Sequence, residues 1–175
     1  MYVGQGTLNL SNSTVAGNSA VRGYGYVGGG LPSSFGGGII TASPSIVNVK
    51  STIIANNSAE SSPDAYGPFA SKGFNLIGKK DGSTGFSGAT DKKGTIKSPL
   101  DPKLGPLQSN GGPTQTMALL PGSPATDKGT SVGLIGTLTT DQRGTGFPRK
   151  IDNLSVANAA GGDGTDIGAF ELAAP

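Results

Sequence analysis

The sequence predicts an all-β fold built as a parallel solenoid, and three observations carry that expectation. The phrase Ser13-Thr14-Val15-Ala16-Gly17-Asn18 returns as Ser51-Thr52-Ile53-Ile54-Ala55-Asn56, thirty-eight residues further on. Each copy follows an alternating stretch, Leu8-Asn9-Leu10 and then Ile46-Val47-Asn48-Val49, and each runs into a polar cluster. A strand–turn unit that recurs at a period of roughly twenty to fifty residues cannot bury its apolar face alone, and does so by stacking on its neighbours. The second observation is composition: 31 Gly and 12 Pro among 175 residues, with Ser, Thr and Asn in short clusters, describe many tight turns. The third is that no run of ten or more residues keeps helical spacing free of Gly or Pro, so almost no helix is expected.

Residues 1–78 read as the solenoid turns. Leu8, Leu10 and Val15 form one apolar set; Ile46, Val49 and Ile53, with Ile54, form the next; Leu76 and Ile77 form the third. On this alignment Val15, Ile53 and Leu76 stack in one interior column. Gly36-Gly37-Gly38-Ile39-Ile40 reads as a short strand entering the second turn, its glycines supplying a sharp corner. Between the first two turns lies a Gly-rich segment, 21–36, longer than an ordinary connection, and long loops frequently carry function. Tyr24, Tyr26 and Phe35 in that segment are candidate platforms for sugar rings, set against a plain packing role. Asn18, Asn57 and Asn75 recur near strand ends, where side-chain amides stacked turn over turn bond along the axis and cap turn backbones.

Residues 79–175 change character. Pro99, Pro102 and Pro106 remove backbone donors and prevent a helix, which gives an extended wrap. Thr116-Met117-Ala118-Leu119-Leu120 is one more short strand, and Asp166-Ile167-Gly168-Ala169-Phe170-Glu171-Leu172 suits a last strand or cover. This half reads as a C-terminal cap over the last turn, within the same domain.

Composition excludes several chemistries. The chain has no Cys and no His, so disulfides, thiolate nucleophiles, serine–histidine triads and zinc-protease helices are all ruled out. Thirteen basic against eleven acidic residues leave a formal charge of +2, without the continuous basic stripe that nucleic acid demands. The doublets Lys79-Lys80 and Lys92-Lys93 read as solvated loop charges. No run of eighteen apolar residues would span a bilayer as a helix. Because Thr7-Leu8-Asn9-Leu10 already reads as a strand, the chain is expected to be the C-terminal part of a longer protein. Its first turn would then be an open template for self-association.

For chemistry the sequence offers little. Gly161-Gly162-Asp163-Gly164-Thr165-Asp166 fits the first six positions of the calcium-binding nonapeptide, which makes Asp163 and Asp166 candidate calcium ligands. It is a single copy, and its eighth position is Gly168 in place of an apolar residue. No other cofactor is expected. A glycoside hydrolase needs two carboxylates ~5–9.5 Å apart, whereas only Glu60 and Asp64 lie near the repeat strands. Asp141-Gln142-Arg143-Gly144 reads as a structural ion pair, the guanidinium tying loop carbonyls together.

Several blocks in order carry a resemblance: Pro63-Asp64-Ala65-Tyr66-Gly67, Gly73-Phe74-Asn75-Leu76-Ile77-Gly78, Asp101-Pro102-Lys103-Leu104-Gly105, Asn110-Gly111-Gly112-Pro113-Thr114, Leu120-Pro121-Gly122-Ser123-Pro124, Asp141-Gln142-Arg143-Gly144 and Asp166-Ile167-Gly168-Ala169-Phe170-Glu171. Together they resemble the C-terminal regions of bacterial right-handed β-helix repeat proteins of the "choice-of-anchor Q" type. The resemblance implies a right-handed parallel β-helix of about three turns on an extracellular or cell-surface protein. Met117 stands where such regions often carry His. The expected function is a non-catalytic stalk or adhesin-like binding module with a polysaccharide or surface glycan as partner. The alternatives are a carbohydrate-active β-helix and a self-assembling filament subunit.

Overall fold

The computed structural model describes residues 1–21 and 34–173. Tyr24 and Tyr26, with most of the Gly-rich segment, lie outside the described residues. Among those described there is no helix, and the regular structure is entirely β. The chain first lays down β1 (Tyr2–Val3), β2 (Thr7–Ser11) and β3 (Thr14–Ala16). It then repeats the pattern with β4 (Ile39–Thr41), β5 (Ile46–Lys50) and β6 (Ile53–Ala55), and again with β7 (Ala65–Pro68), β8 (Ala70–Ser71) and β9 (Leu76–Ile77). Two short strands follow, β10 (Ser83–Thr84) and β11 (Lys92–Lys93), and then a hairpin of β12 (Leu104–Gln108) and β13 (Thr116–Leu119).

Through β1 to β10 every third strand pairs in parallel, and β11 then adds in parallel to β9. The sheets run β1-β4-β7-β10, β2-β5-β8 and β3-β6-β9-β11, beside the antiparallel pair β12-β13. Successive passes of the chain therefore visit three sheets in turn, an arrangement consistent with a β-helix-like fold. The parallel ladders run on past residue 78 into Ser83–Thr84 and Lys92–Lys93. The Lys92-Lys93 doublet, expected in a loop, is thus an edge strand, where lysine discourages further pairing.

The corners explain how short strands turn so sharply. Asn12, Ser51 and Phe74 all have φ between 47° and 59°, and they precede β3, β6 and β9 at equivalent places. Gly17 and Asn56 repeat the device after β3 and β6, as Gly36 and Ser62 do before β4 and β7. Left-handed geometry at one residue redirects the chain without a loop, and is disfavoured for Ser and Phe unless packing imposes it. The three glycines before β4 also serve contact: a Cβ on Gly37 would stand 2.2 Å from the Ser58 carbonyl oxygen.

Two ladders of side chains tie the corners together. At one, Thr52 Oγ1 accepts the Ser13 N–H, Asn75 Oδ1 accepts the Thr52 N–H (3.1 Å), and Asp91 Oδ1 accepts the Asn75 N–H (3.2 Å). At the other, Asn57 Oδ1 accepts from the Asn18 N–H (3.0 Å) and Asp64 Oδ1 from the Asn57 N–H (2.9 Å). Each bond satisfies an amide that would otherwise be orphaned by the corner. Asn18 and Asn57 share a row, but Asn75 belongs to the other ladder, a correction to the single row read from sequence.

The register differs from the sequence alignment by one residue. Thr14 pairs with Ile53, Val15 with Ile54 and Ala16 with Ala55, a step of 39 residues that also places Asn18 beside Asn57. Val15, Ile54 and Ile77 therefore face the interior with Val3, Leu8, Leu10, Ile39, Val47 and Val49. The expected column of Val15 with Ile53 and Leu76 is overturned: Ile53 and Leu76 share a row with Thr14 on the opposite face. Ile46 likewise turns outward and is exposed, with Val47 taking the core position. Phe69 and Phe86, with ring centroids 4.9 Å apart, lie in the interior at the far end.

Ile53 is nonetheless fully buried. The outer face of the third sheet is covered by the C-terminal half, which packs Leu119, Ala125 and Ile167 onto Ile53, Ala55 and Leu76. Residues 166–172 form no strand. They dock by single bonds, the Gly168 N–H to the Ser51 carbonyl (2.9 Å) and the Ala169 N–H to Thr14 Oγ1 (3.1 Å). A Cβ on Gly168 would stand 2.8 Å from Ile53 Cδ1, and its φ is 106°. That close approach explains why the eighth position of the nonapeptide-like stretch is glycine.

Candidate functional site

A cluster of buried charges and a cleft adjoin each other where the C-terminal half meets the third sheet. The cluster is organised by two arginines. Arg143 lies between two rings, its guanidinium carbon 4.1 Å from the Phe147 centroid and 3.8 Å from that of Phe170. Its Nε and Nη2 donate to the Asp141 carboxylate at 2.9 and 2.7 Å, and Nη2 also donates to the Glu171 carbonyl. Asp141 further accepts the main-chain N–H groups of Arg143 and Glu171, both at 2.8 Å. The fork geometry of guanidinium and carboxylate thus locks the 141–143 turn onto the final segment.

Arg149 is 1% exposed. Its Nη2 donates to the Asp166 carbonyl at 2.6 Å, and its Nε stands 3.8 Å from the Glu171 carboxylate. Nε and Nη1 have no hydrogen-bond partner. Burial lowers the guanidinium from its usual value, against the raising influence of Glu171 and Asp166. Glu171 accepts the Ile151 and Asp166 N–H groups, each at 3.1 Å, yet burial and then the neighbouring Asp166 push its carboxyl up to about 9.

The two candidate calcium ligands turn to different partners. Asp166 accepts the N–H of Asp127 at 2.8 Å and of Leu172 at 2.7 Å, and burial pushes it up to about 6. Asp163 accepts from the Ser131 hydroxyl at 2.5 Å and the Ser131 N–H at 3.1 Å. Burial raises the Asp163 carboxyl, but the hydrogen bonds, led by those from Ser131, outweigh it and hold it below its usual value. Among the described residues no group of three or more acidic side chains is arranged to hold a metal ion.

The cleft has a volume of about 540 Å³, within the range of small-ligand sites. Asn12, Ser13 and Thr14 form one wall; Thr140, Asp141, Gln142, Arg149 and Ala169 form the other. Thr14, Gln142 and Ala169 also line a smaller adjoining cavity of about 150 Å³ with Ala16, Met117 and Phe170. The cleft follows from a change within one row of the sheet. Ile53 and Leu76 press against the covering segment, whereas the same row at β3 carries Thr14, which meets that segment through its hydroxyl.

Phe35, the one aromatic candidate within the described residues, is not brought to this cleft. Phe35 is half-buried and stacks on Tyr66, the ring centroids 4.7 Å apart, against the first sheet. Tyr66 stands in the row that also holds Ile40 and Tyr2, and both tyrosines are exposed. Sequence reasoning brought Asp141 and Arg143 together as the structure does, and missed Arg149, Thr14, Thr140 and Gln142. The signal for Arg149 lay in Asp166 and Glu171 themselves. Two carboxylates inside an otherwise apolar run call for a buried cation, and Arg149 is one of few candidates.

No family model matches this chain, and neither a curated protein nor a solved structure shows significant similarity to it.

Proposed function

We propose that this chain is a non-catalytic binding module or stalk of an exported, surface-associated bacterial protein, built as a right-handed parallel β-helix whose C-terminal half is an irregular cap. The architectural part rests on three parallel sheets visited in rotation by successive strands. The cellular setting rests on the resemblance of the sequence blocks to the choice-of-anchor Q regions.

The observation that carries the non-catalytic reading is where the carboxylates go. Asp64 accepts from Asn57, Asp91 from Asn75 and Ser71, Asp141 from Arg143 and Glu171, Asp163 from Ser131, Asp166 from Asp127 and Leu172, and Glu171 from Ile151. An acid–base pair for glycoside cleavage must present two carboxyls across a space that admits the substrate. Asp141, the one carboxylate lining the cleft, has both oxygens engaged by Arg143 and by main-chain N–H groups. A cleft lined by Ser13, Thr14 and Thr140, with its Asp141 carboxylate already paired, and a row in which Tyr2 and Tyr66 are exposed beside a half-buried Ile40 suit glycan binding without turnover.

A glycan array, paired with reducing-sugar and unsaturated-product assays on pectin, alginate and cellulose, tests this reading. Binding without product is expected, and calcium or chelator should leave the melting temperature unchanged. Turnover that disappears in Asp141→Ala or Asp166→Ala protein, with the fold intact, overturns it.

A further inference from the structure

We infer that the outward face of the sheet β1-β4-β7-β10 binds an extended, uncharged β-linked polysaccharide of the cellulose type, its chain lying across the strands on Tyr2 and Tyr66. The inference rests on the binding-module reading and supplies both the place and the class of glycan.

The face is read from its rows. Tyr2 pairs with Ile40 and Ile40 with Tyr66, while Val3, Ile39 and Ala65 take the interior side of the same strands. Gly82 stands beside Tyr66, one residue before β10, and its carbonyl accepts the Gly67 N–H (2.9 Å). Both tyrosine rings lie down over a glycine. A Cβ on Gly4 would stand 2.9 Å from Tyr2 Cε1 and from the Tyr2 hydroxyl, and one on Gly82 would stand 3.1 Å from Tyr66 Cδ2. Phe35 packs against Tyr66 from the side, with ring centroids 4.7 Å apart. The rings thus lie low on the sheet yet open to solvent, Tyr2 at 69% and Tyr66 at 37%. Aromatic surface held out of the core twice in one row is surface kept for contact.

Shape and charge select the occupant. In a β-1,4-linked glucan every hydroxyl and linkage is equatorial, so each pyranose offers a flat C–H face to an aromatic ring and the chain is a straight ribbon. Tyr2 and Tyr66 stand two strand spacings apart, about 9.6 Å, comparable to one cellobiose unit of such a ribbon, with Ile40 beneath the stretch between them. Two residues further along the chain from each member of the row come Gly4, Ala42, Pro68 and Thr84, so the ribbon has a low shoulder beside it. None of these eight residues is charged. A uronate chain would bring a carboxylate on every ring to rows that hold no cation for it. An α-linked glucan coils away from a straight row.

Isothermal titration calorimetry with cellohexaose, cellobiose, maltohexaose and an oligogalacturonate of matching length tests the assignment. Cellohexaose is expected to bind saturably and the other three at least tenfold more weakly, cellobiose because it is too short to cover both rings. Tyr2→Ala and Tyr66→Ala should each weaken binding at least tenfold, and Tyr2→Ala should leave the melting temperature unchanged. Gly4→Val keeps both tyrosines but lifts the Tyr2 ring, and should weaken binding at least threefold. Thr140→Trp fills the cleft beside β3 instead and should change nothing. Absence of saturable binding, oligogalacturonate bound as well as cellohexaose, or affinity undiminished in both tyrosine variants overturns the assignment. So does a chain that ignores cellohexaose and loses self-association in sedimentation on Tyr66→Ala, which gives the face to a second copy. These outcomes leave the non-catalytic reading standing, whereas cleavage of bound cellohexaose defeats that reading and leaves the site.

Discussion

At the scale of the residue, the decisive feature is burial of carboxyls whose partners are mostly neutral amides. Amide donors favour the ionised form and burial favours the protonated one, and for Asp64, Asp127, Asp166 and Glu171 burial prevails. A carboxyl whose pKa is higher folded than unfolded holds its proton more tightly in the folded state. Its stabilisation is complete below the ordinary carboxylate value and is lost as pH rises through the folded one. For Asp166, raised from 3.8 to about 6, the loss amounts to roughly 3 kcal/mol across that window. Glu171 extends the decline toward pH 9. Asp163, held below its usual value, runs the other way and weakens the fold only as the pH falls. The melting temperature is therefore expected to be higher at pH 5 than at pH 8, and Glu171→Gln should flatten the alkaline part of the curve. Differential scanning calorimetry across that range checks it, and a melting temperature that rises from pH 5 to pH 8 contradicts the argument. The sequence holds only the signal of two carboxylates in an apolar run; the direction of these shifts was not legible, because it depends on how deeply Asp166 and Glu171 are buried and on which N–H groups and charges stand beside them.

At the scale of the element, the strands were legible and their phase was not. Leu8-Asn9-Leu10 alternates, so its apolar side faced inward as read. Ile53-Ile54-Ala55 is apolar throughout because both faces of β6 are buried, one in the interior and one under the C-terminal half. A strand without alternation carries no information on which face is which, and a one-residue error inverts every side chain. The repeated Ser-Thr phrase fixed the wrong phase, where the trailing Asn-Ser-Ala of residues 18–20 and 57–59 holds the step of 39. The left-handed corners were equally hidden, since Ser51 and Phe74 are not residues that announce that geometry. The corrected register separates two variants that the first alignment would have confused. Ile54→Ala opens a cavity in the interior and should cost about 2–5 kcal/mol with loss of protection across all three sheets. Ile53→Ala is expected to release residues 116–172 first, leaving the β2 and β5 amides protected. Hydrogen exchange read residue by residue distinguishes them, and identical protection maps for both variants would return the assignment to the original alignment.

At the scale of the whole molecule, the two ends of the stacked sheets are treated differently. At the far end Phe69 and Phe86 pack the interior, β11 carries Lys92 and Lys93, and Leu100 caps the Gly78 carbonyl through its N–H (3.0 Å). At the near end β1, β2 and β3 are all edge strands with no charged residue among them. The core residues there, Val3, Leu8, Leu10 and Val15, are only partly buried, in contrast to their fully buried counterparts Val47, Val49 and Ile54 one pass further on. Among the described residues these three edges have no further strand partner, and with partly exposed apolar side chains between them they form a template for another β edge, which proteins that must stay apart block with charge. The contrast between a lysine-bearing far edge and an uncharged near edge points to association through the near end alone, giving a closed pair of chains where two open ends would give a filament. Sedimentation velocity is expected to show a concentration-dependent dimer that does not grow further. Asn9→Lys, which places a charge on the exposed face of the β2 edge, should weaken the dimer at least tenfold and raise its salt dependence. Lys93→Ser, which strips charge from the opposite edge, should leave a dimer of the same affinity. A chain that stays monomeric at high concentration, or a dimer indifferent to Asn9→Lys, would mean that the near end is closed by its own residues.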